Sequence, residues 1–311
     1  MGKRSRYLHH YLKNLPIAFS YSVLHKNPKI RSFLSQKDMS EKRANDVLKQ
    51  RILEGKPFAM IRFGGMEMCA LHGHEKIELG YAKRYKDSVK YVMKHNTGFF
   101  PADDQHLKQY GDQFLSELKD VDVLGVLGLF MESYFAKTYC PNAEYVLYEG
   151  VEPCHGDWTS ALKGKKVLVI SPFVEEIKAQ YEKRSLLFPE GVDILPEFDL
   201  HLIQSPLTLG EEESKLPTFF DELNLLYQKM DQEDFDILLV GAGAYGSFLA
   251  LHAKKLGKIG IQTGGATQTL FGIMGKRWEK RQHVAQYCNE HWIRPYYKPK
   301  GNEAVDGGAY W

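Results

Sequence analysis

The sequence predicts an α/β protein with a doubly wound, mostly parallel sheet and helices on both faces. Short apolar, β-branched segments alternate with segments of helical periodicity along most of the 311-residue chain. Glycines follow several of the apolar segments, at the points where a strand would turn into a helix. A chain of this length, with 43% hydrophobic and 26% charged residues, can bury a large core.

Residues 1–39 are interpreted as a basic N-terminal arm, in which eight cations precede the first acidic residue, Asp38. An apolar stretch at 15–24 interrupts them and is too short to span a bilayer. This pattern predicts peripheral contact with an anionic membrane. The alternative is a solvated arm that packs Leu12, Phe19 and Tyr21 on the body. The eight cations are Lys3, Arg4, Arg6, Lys13, Lys26, Lys29, Arg31 and Lys37.

Residues 40–311 show no linker or repeat and are interpreted as one domain. Ser40 is expected to cap a helix that ends at Gly55. The aromatic tail, residues 291–311, is expected to fold back on the body. Strands are predicted at 57–63, 121–127, 145–148, 166–170, 192–195, 235–240 and 258–262, and further helices at 103–118, 175–187, 211–230 and 247–255.

Composition excludes some classes of function. The formal net charge of +2 provides no global argument for nucleic-acid binding, and no nucleic-acid partner is expected. Motifs of zinc proteases, serine hydrolases and P-loop nucleotidases are absent from the sequence. The four cysteines are far apart and lack metal spacing, which suits a reducing cytoplasm.

The glycine turn at 241–246 matches the dinucleotide fingerprint G-x-G-x-x-G. A nicotinamide site also needs an acidic residue about twenty positions later to hold the ribose hydroxyls. No Asp or Glu occurs between Asp236 and Glu279. An NAD(P)-dependent oxidoreductase is therefore kept as an alternative. A second alternative is that Gly241 and Gly243 serve only tight packing of helix on strand.

A second glycine corner, Gly264-Gly265, follows the next predicted strand and is expected to open a helix. Helix N-termini offer free N–H groups and partial positive charge to a phosphate. Arg277 comes shortly afterwards and can bind phosphate. Its neighbour Trp278 either stacks on a base or sugar or packs in the core. Two such corners predict a nucleotide site.

The segment from Arg62 to Glu67 repeats this arrangement near the start of the domain. A strand leads into Gly64-Gly65 and a helix, at the edge where ligands bind open α/β sheets. Arg62 can pair with a diphosphate through two parallel hydrogen bonds. Glu67 can bind a metal, hold a sugar hydroxyl or act as a base. The alternative is a structural Arg62–Glu67 ion pair.

With these motifs the chain resembles the GT-D type glycosyltransferases, enzymes of bacterial surface glycan and glycoprotein assembly. The resemblance covers most of residues 40–311. In that family an R-F-G-D-G-E-like segment contacts a divalent metal and a nucleotide sugar through its Asp-x-Glu. Here Glu67 is retained and Gly65 stands at the Asp position. The C-terminal block also matches, at Gly241, Gly243, Gly264, Gly265, Gln268, Phe271, Gly272, Arg277 and Trp278.

The resemblance implies a Rossmann-like fold and transfer of a sugar from a nucleoside diphosphate sugar, expected to be UDP-linked. The acceptor would be a glycan, a glycoprotein or a lipid-linked molecule in bacterial surface polysaccharide biosynthesis. Mn²⁺ or Mg²⁺ would be held by Glu67, in the cytoplasm or at the inner face of the membrane. A non-catalytic nucleotide-binding protein is a further alternative. Glu67 and Arg62 are the expected catalytic residues, and Gly64, Gly65, Gly241, Gly243, Gly264, Gly265, Gln268 and Arg277 the expected nucleotide-sugar contacts.

Overall fold

The computed structural model describes residues 2–24, 29–305 and 307–311, without the side chains of residues 18–24 and 304. Lys26 of the basic arm and the side chains of Phe19 and Tyr21 therefore lie outside the described residues. The described chain contains one seven-stranded sheet in which every pairing is parallel, in the order β3-β2-β1-β7-β6-β4-β5. The strands are β1 (Phe58–Arg62), β2 (Val123–Val126), β3 (Glu144–Leu147), β4 (Lys166–Ser171), β5 (Asp199–Gln204), β6 (Ile237–Val240) and β7 (Ile259–Ile261).

Helices cover both faces of this sheet, so the doubly wound α/β prediction is confirmed. Alternate strand residues point to opposite faces, and two separate hydrophobic cores result. Helices α3 to α6, α9 and α10 pack on one face, whereas α2, α7, α8, α11 and α12 pack on the other. The helices are α1 (Lys3–Leu24), α2 (Glu41–Glu54), α3 (Gly65–Glu78), α4 (Asp87–Thr97), α5 (Asp104–Glu117), α6 (Glu132–Tyr139), α7 (Val174–Tyr181), α8 (Arg184–Leu187), α9 (Phe219–Asp231), α10 (Gly246–Lys255), α11 (Thr267–Leu270) and α12 (Gln282–Ala285).

One predicted strand is wrong. Residues 192–195 form no strand, although Ile194 and Leu195 are buried in the core. The fifth strand is β5, which pairs with β4 along its whole length from Lys166↔Asp199 to Ser171↔Gln204. It is an edge strand whose side chains are largely half-buried, so its sequence lacks the apolar run typical of a central parallel strand.

Helices begin where a capping residue is present in the sequence. Ser40 accepts the backbone N–H of Arg43, and Gly55 ends α2 in the left-handed conformation. The helix predicted at 211–230 begins only at Phe219, because Thr218 caps it through a capping box. The helix predicted at 175–187 is divided into α7 and α8. Element identity was therefore easier to predict than element boundaries.

The first part of the basic arm forms α1 and packs on the domain. The Tyr7 side chain is buried, and its hydroxyl lies 2.7 Å from His72 Nε2. Lys3 pairs with Glu75 of α3 at 3.1 Å. Leu12, which the solvated-arm alternative places against the body, is 57% exposed. Within the described ranges, no helix is both long and apolar enough to cross a membrane.

The C-terminal tail folds back on the body, as the sequence predicts. Trp292 and Trp311 are both buried. The Trp311 carbonyl accepts the backbone N–H of Lys276 at 3.2 Å, and the Trp311 indole N–H donates to the Tyr297 carbonyl at 2.8 Å. This places Tyr310 beside the second glycine corner.

The connections of the sheet define where a ligand can enter. The chain leaves β4 through α7 on one face, whereas it leaves β6 through α10 on the other face. Since β4 and β6 are neighbours, their carboxyl ends diverge and leave a crevice between them. Open α/β sheets bind ligands at such a switch point.

Candidate functional site

A narrow cavity and an open cleft lie side by side at the carboxyl edge of the sheet. The cavity, of about 50 Å³, lies at the ends of β4, β6 and β7. The cleft, of about 920 Å³, lies in front of β1, β2 and β3. Arg62, Gly243, Gly265 and Tyr310 line both, so the two form one continuous site. The volume of the cleft suits a nucleotide-sized ligand.

All ten residues that the sequence predicted for the site line the cavity, the cleft or both. The cavity is lined by Gly241, Gly264 and Gln268, besides the shared residues. The cleft wall carries the remaining predicted residues of both motifs. These are Gly64, Gly65, Glu67 and Arg277.

Arg62 stands at the junction of cavity and cleft, at the end of β1. Its guanidinium stacks over the Tyr148 ring at 5.3 Å from the centroid. Its Nε is buried and has no hydrogen-bond partner among the described residues. Burial by itself lowers the pKa of Arg62, but Tyr148 and Glu67 raise it above the ordinary value. The Arg62 side chain is therefore a positively charged group, fixed in place by Tyr148, whose Nε–H donor is not used by the protein.

Glu67 is a buried carboxylate in the first turn of α3. Its side chain folds back over Gly64, where a Cβ would lie 1.8 Å from Glu67 Oε2. Among the described residues no hydrogen bond or salt bridge to its carboxylate is found, and it lines the cleft. The expected Arg62–Glu67 ion pair is therefore not a direct contact, although the charge of Glu67 helps to raise the pKa of Arg62. A buried carboxylate whose oxygens make no hydrogen bond to the protein can bind a ligand.

Two of the predicted glycines are required by the packing of the protein itself. A Cβ at Gly241 would lie 2.4 Å from the Gly264 carbonyl oxygen. Gly243 has a φ of +51°, and a Cβ there would lie 2.6 Å from the Thr97 carbonyl oxygen. The tight-packing alternative accounts for both positions. Their role at the site is to let neighbouring segments converge on it.

The second glycine corner differs from its prediction in one respect. The expected helix is a 3-10 turn followed by α11, which has only four residues. A helix of this length provides no developed N-terminal phosphate site. Gly264 has another role, since a Cβ there would lie 2.8 Å from Arg62 Nη2. Glycine at this position leaves room for the Arg62 guanidinium.

Within the described part of the chain, five residues that line the site have a buried polar atom without a hydrogen-bond partner. They contribute a donor on Arg62, a donor on Trp278, an acceptor on Gln268 and two hydroxyls. Buried polar atoms are nearly always paired, so unpaired ones around one opening indicate a polar ligand or ordered water. The atoms are Arg62 Nε, Trp278 Nε1, Gln268 Oε1, Ser205 Oγ and the Tyr245 hydroxyl oxygen.

Ser205 and Tyr148 were missed by the sequence reasoning. Ser205 follows β5, the strand that was not predicted, and so it had no assigned place at the sheet edge. Tyr148 comes at the end of β3, where it was read as a strand residue; its hydroxyl donates to the Thr263 carbonyl at 2.7 Å. A rule that takes the residue after every strand as a candidate would have found both.

Trp278 packs in the core, as the simpler of its two interpretations predicts. It is 1% exposed, and its ring centroid lies 6.2 Å from that of Tyr310. Arg277 stacks over Tyr310 at 4.9 Å from the ring centroid. Arg277 and Tyr310 therefore form part of the cleft wall, and the Trp278 indole N–H is the part of that ring available to the site.

Among the described residues, the cleft is lined by more cations than acids. Six of these residues are Lys or Arg, and four are Glu. Such an excess favours an anionic ligand, since guanidinium groups pair well with phosphate oxygens. The cations are Lys29, Arg31, Lys42, Arg62, Arg277 and Arg281, and the acids are Glu41, Glu67, Glu149 and Glu152.

The position after β7 does not carry the acidic residue that a nicotinamide site needs. Enzymes that bind a dinucleotide place an Asp or Glu there to hold the ribose hydroxyls, whereas this chain has Gln262. It is 2% exposed, and its Oε1 accepts the backbone N–H of Arg62 and the hydroxyl of Ser247, both at 2.9 Å. This neutral, internally bonded side chain does not fit a nicotinamide cofactor.

No family model, curated protein or solved structure matches the chain.

Proposed function

We propose that the protein is a glycosyltransferase that uses a nucleoside diphosphate sugar, with UDP as the favoured nucleotide. The observation that carries this proposal is the arrangement at Arg62. A charged guanidinium with an unused, buried donor faces a cleft of about 920 Å³ that has an excess of cations. This is the chemistry that binds a diphosphate. The resemblance to the GT-D type enzymes supports the same substrate class.

The site also offers groups for the transfer step. When the bond between sugar and diphosphate breaks, negative charge develops on the leaving diphosphate. Arg62 is placed to stabilise that charge, with Arg277 and Arg281 on the same cleft wall. Glu67, a buried carboxylate at the cleft, is suited to remove the proton of an acceptor hydroxyl or to hold a donor hydroxyl.

The residues present would let Mg²⁺ or Mn²⁺ take part with the substrate. Among the described residues, the two clusters of three ligand-type side chains do not include Glu67. An ion at the motif would thus have one protein carboxylate, diphosphate oxygens and water, a set that Mg²⁺ accepts. Bound there, it would neutralise charge on the diphosphate.

We also propose that α1 contacts an anionic membrane. Leu8, Leu12 and Leu15 are exposed at helical spacing and form one apolar stripe. Exposed Arg4 and Lys13 flank this stripe. A helix that combines exposed leucines with cations is suited to the surface of anionic lipid. Such contact would bring the cleft close to a lipid-linked acceptor.

The proposed function is tested by measuring nucleotide binding and turnover on the same preparation. Melting temperature is recorded with UDP, GDP, CMP and NAD, each with and without Mn²⁺, and UDP release is then measured with a panel of UDP-sugars. We expect UDP to raise the melting temperature and at least one UDP-sugar to be turned over. Stabilisation by NAD alone would favour the oxidoreductase. UDP binding without turnover of any sugar would favour a nucleotide-binding protein.

A further inference from the structure

We propose that Glu152, His155 and His283 form a binding site for a divalent transition metal ion, with Zn²⁺ as the ion that fits best. This site is separate from the Glu67 motif and does not depend on the transferase proposal. One ligand atom from each of the three residues lies within 4.8 Å of the others. Glu152 also lines the cleft, so the site is at its rim.

Two distant parts of the chain build this cluster. Glu152 precedes the short 3-10 turn Pro153–His155, and His155 is the last residue of that turn. The turn comes after the end of β3. His283 belongs to α12, which packs against that turn. Val284, next to His283, is fully buried and anchors α12 in the core. The positions of the three side chains are therefore fixed by the fold.

The geometry of the cluster suits two imidazole ligands and one carboxylate. His283 Nε2 lies 2.9 Å from Glu152 Oε2. The His155 and His283 rings face each other with centroids 3.6 Å apart and planes at 32°. The cluster thus offers an ion two imidazole nitrogens and one carboxylate oxygen at close range.

Side chains outside the cluster orient its histidine and carboxylate ligands. His155 Nδ1 lies 3.0 Å from Glu41 Oε2. A ring that donates from Nδ1 presents the lone pair of Nε2 to a metal, as in carboxylate–histidine–zinc arrangements. Arg281 Nη1 lies 3.2 Å from Glu152 Oε1 and 3.4 Å from Oε2, and Oε2 is also 2.9 Å from His283 Nε2. Glu41 and Arg281 would then act as positioning residues for the ligands.

The expected ion follows from this donor set. Two histidines and one glutamate, with water at a fourth position, are a known ligand set of Zn²⁺. Mg²⁺ prefers oxygen ligands throughout and would bind here poorly. To bind the ion through Nε2, a neutral His283 ring would carry its one proton on Nδ1, and the contact between Nε2 and Glu152 Oε2 would be replaced by a bond from each atom to the metal.

The second cluster of ligand-type side chains, His74, Glu78 and Asp112, is a weaker candidate. Lys108 Nζ lies 3.0 Å from a carboxylate oxygen of both Glu78 and Asp112, so a cation is already present between them. In the Glu152 cluster, Arg281 Nη1 contacts the oxygens of a single carboxylate, at 3.2 and 3.4 Å, and the cluster has two histidines rather than one. The structure therefore favours the Glu152 cluster.

The test is titration of the metal-free, full-length protein with Zn²⁺ by calorimetry and with Co²⁺ by visible absorption. We expect one equivalent to bind and Co²⁺ to develop the intense absorption of a four-coordinate site. His155→Gln and His283→Gln should each weaken binding at least about tenfold and abolish the Co²⁺ band. His252→Gln is the matched control, because His252 Nε2 forms an equivalent contact with Asp231 at 2.7 Å.

Melting of the metal-free variants verifies that they are folded. If either ligand variant fails to fold, Glu41→Gln replaces it, because Glu41 is exposed and its loss leaves all three ligands in place. That variant should weaken Zn²⁺ binding while the control does not. The proposal is overturned if the wild type binds neither ion stoichiometrically, or if the cluster variants bind as tightly as His252→Gln.

Discussion

At the scale of single residues, the site is distinguished by polar groups that the protein leaves unpaired. Arg62 Nε and Gln268 Oε1 are buried at the cavity, and no hydrogen bond to the Glu67 carboxylate is found among the described residues. Each such group costs stability unless a ligand or water satisfies it. Their convergence at one sheet edge is therefore better explained by binding than by folding.

Glu67 provides a test that separates chemistry from stability. Glu67→Gln keeps the size of the side chain and removes its charge, so turnover should fall by a factor on the order of 100 if this carboxylate acts as a base or metal ligand. The melting temperature should change little, because no hydrogen bond or salt bridge is lost and only the longer-range attraction between Glu67 and Arg62 is removed. Both quantities are measured on the same sample.

Glu149→Gln is the control for Glu67→Gln, since Glu149 is an exposed carboxylate that lines the same cleft. It should keep most of the turnover. Full sugar transfer by Glu67→Gln would remove Glu67 from the catalytic assignment.

Glu132 makes folding stability depend on pH. Its carboxylate is fully buried and accepts the backbone N–H groups of Leu127, Gly128 and Leu129 at 2.6 to 3.0 Å. Burial nevertheless raises the pKa of Glu132 from 4.5 to about 7. Because the folded value is above the unfolded one, its stabilising contribution is complete below pH 4.5 and is lost as the pH rises through about 7.

We therefore expect Glu132→Gln to flatten the pH dependence of stability. Relative to this variant, the wild-type free energy of unfolding should fall by roughly 2 to 3 kcal/mol between about pH 5 and pH 8. Urea denaturation at several pH values measures it. The variant also loses one acceptor, which shifts its stability by a constant amount, so the slope is the quantity compared. Equal slopes for the two proteins would show that Glu132 titrates normally.

At the scale of elements, a strand or helix could be predicted where its own residues show the hydrophobic or capping pattern of that element. Central strands such as β4 and β6 are continuous apolar runs, and α2 has both a capping serine and a terminal glycine. β5 was not predicted because an edge strand is only partly buried, so its sequence lacks a continuous apolar run. α1 was interpreted as an arm because its packing depends on partners that are distant in sequence, such as His72 and Glu75.

The membrane role of α1 is tested by removing its apolar stripe and keeping the helix. Leu8→Ser, Leu12→Ser and Leu15→Ser together should reduce binding to vesicles of anionic phospholipid, measured by co-sedimentation. Deleting α1 is a poorer test, because Tyr7 and Asn14 are buried and the deletion would uncover the core.

A matched triple variant, Leu53→Ser, Leu186→Ser and Leu225→Ser, removes exposed leucines from outside α1. This control should bind vesicles as well as the wild type does. If both triple variants bind anionic vesicles equally, α1 is not the contact surface.

At the scale of the whole molecule, the position of the site follows from the topology. All strands of the sheet are parallel, so their carboxyl ends share one edge and bring residues 62–67 and 241–277 together. This could be predicted, because glycine corners after strands are visible in the sequence. The Glu152, His155 and His283 cluster could not, because its members come from elements that only the tertiary fold places side by side.

The central claim is that this edge binds a nucleoside diphosphate through Arg62, and calorimetric titration with UDP tests it most directly. Arg62→Lys keeps the charge but loses the Nε donor and the planar fork, so UDP should bind about tenfold more weakly than to the wild type. Arg184→Lys is the control, because Arg184 stacks on Tyr181 at 5.4 Å and lines neither the cavity nor the cleft. Unchanged UDP affinity in Arg62→Lys, or NAD binding by a wild type that does not bind UDP, would contradict the account.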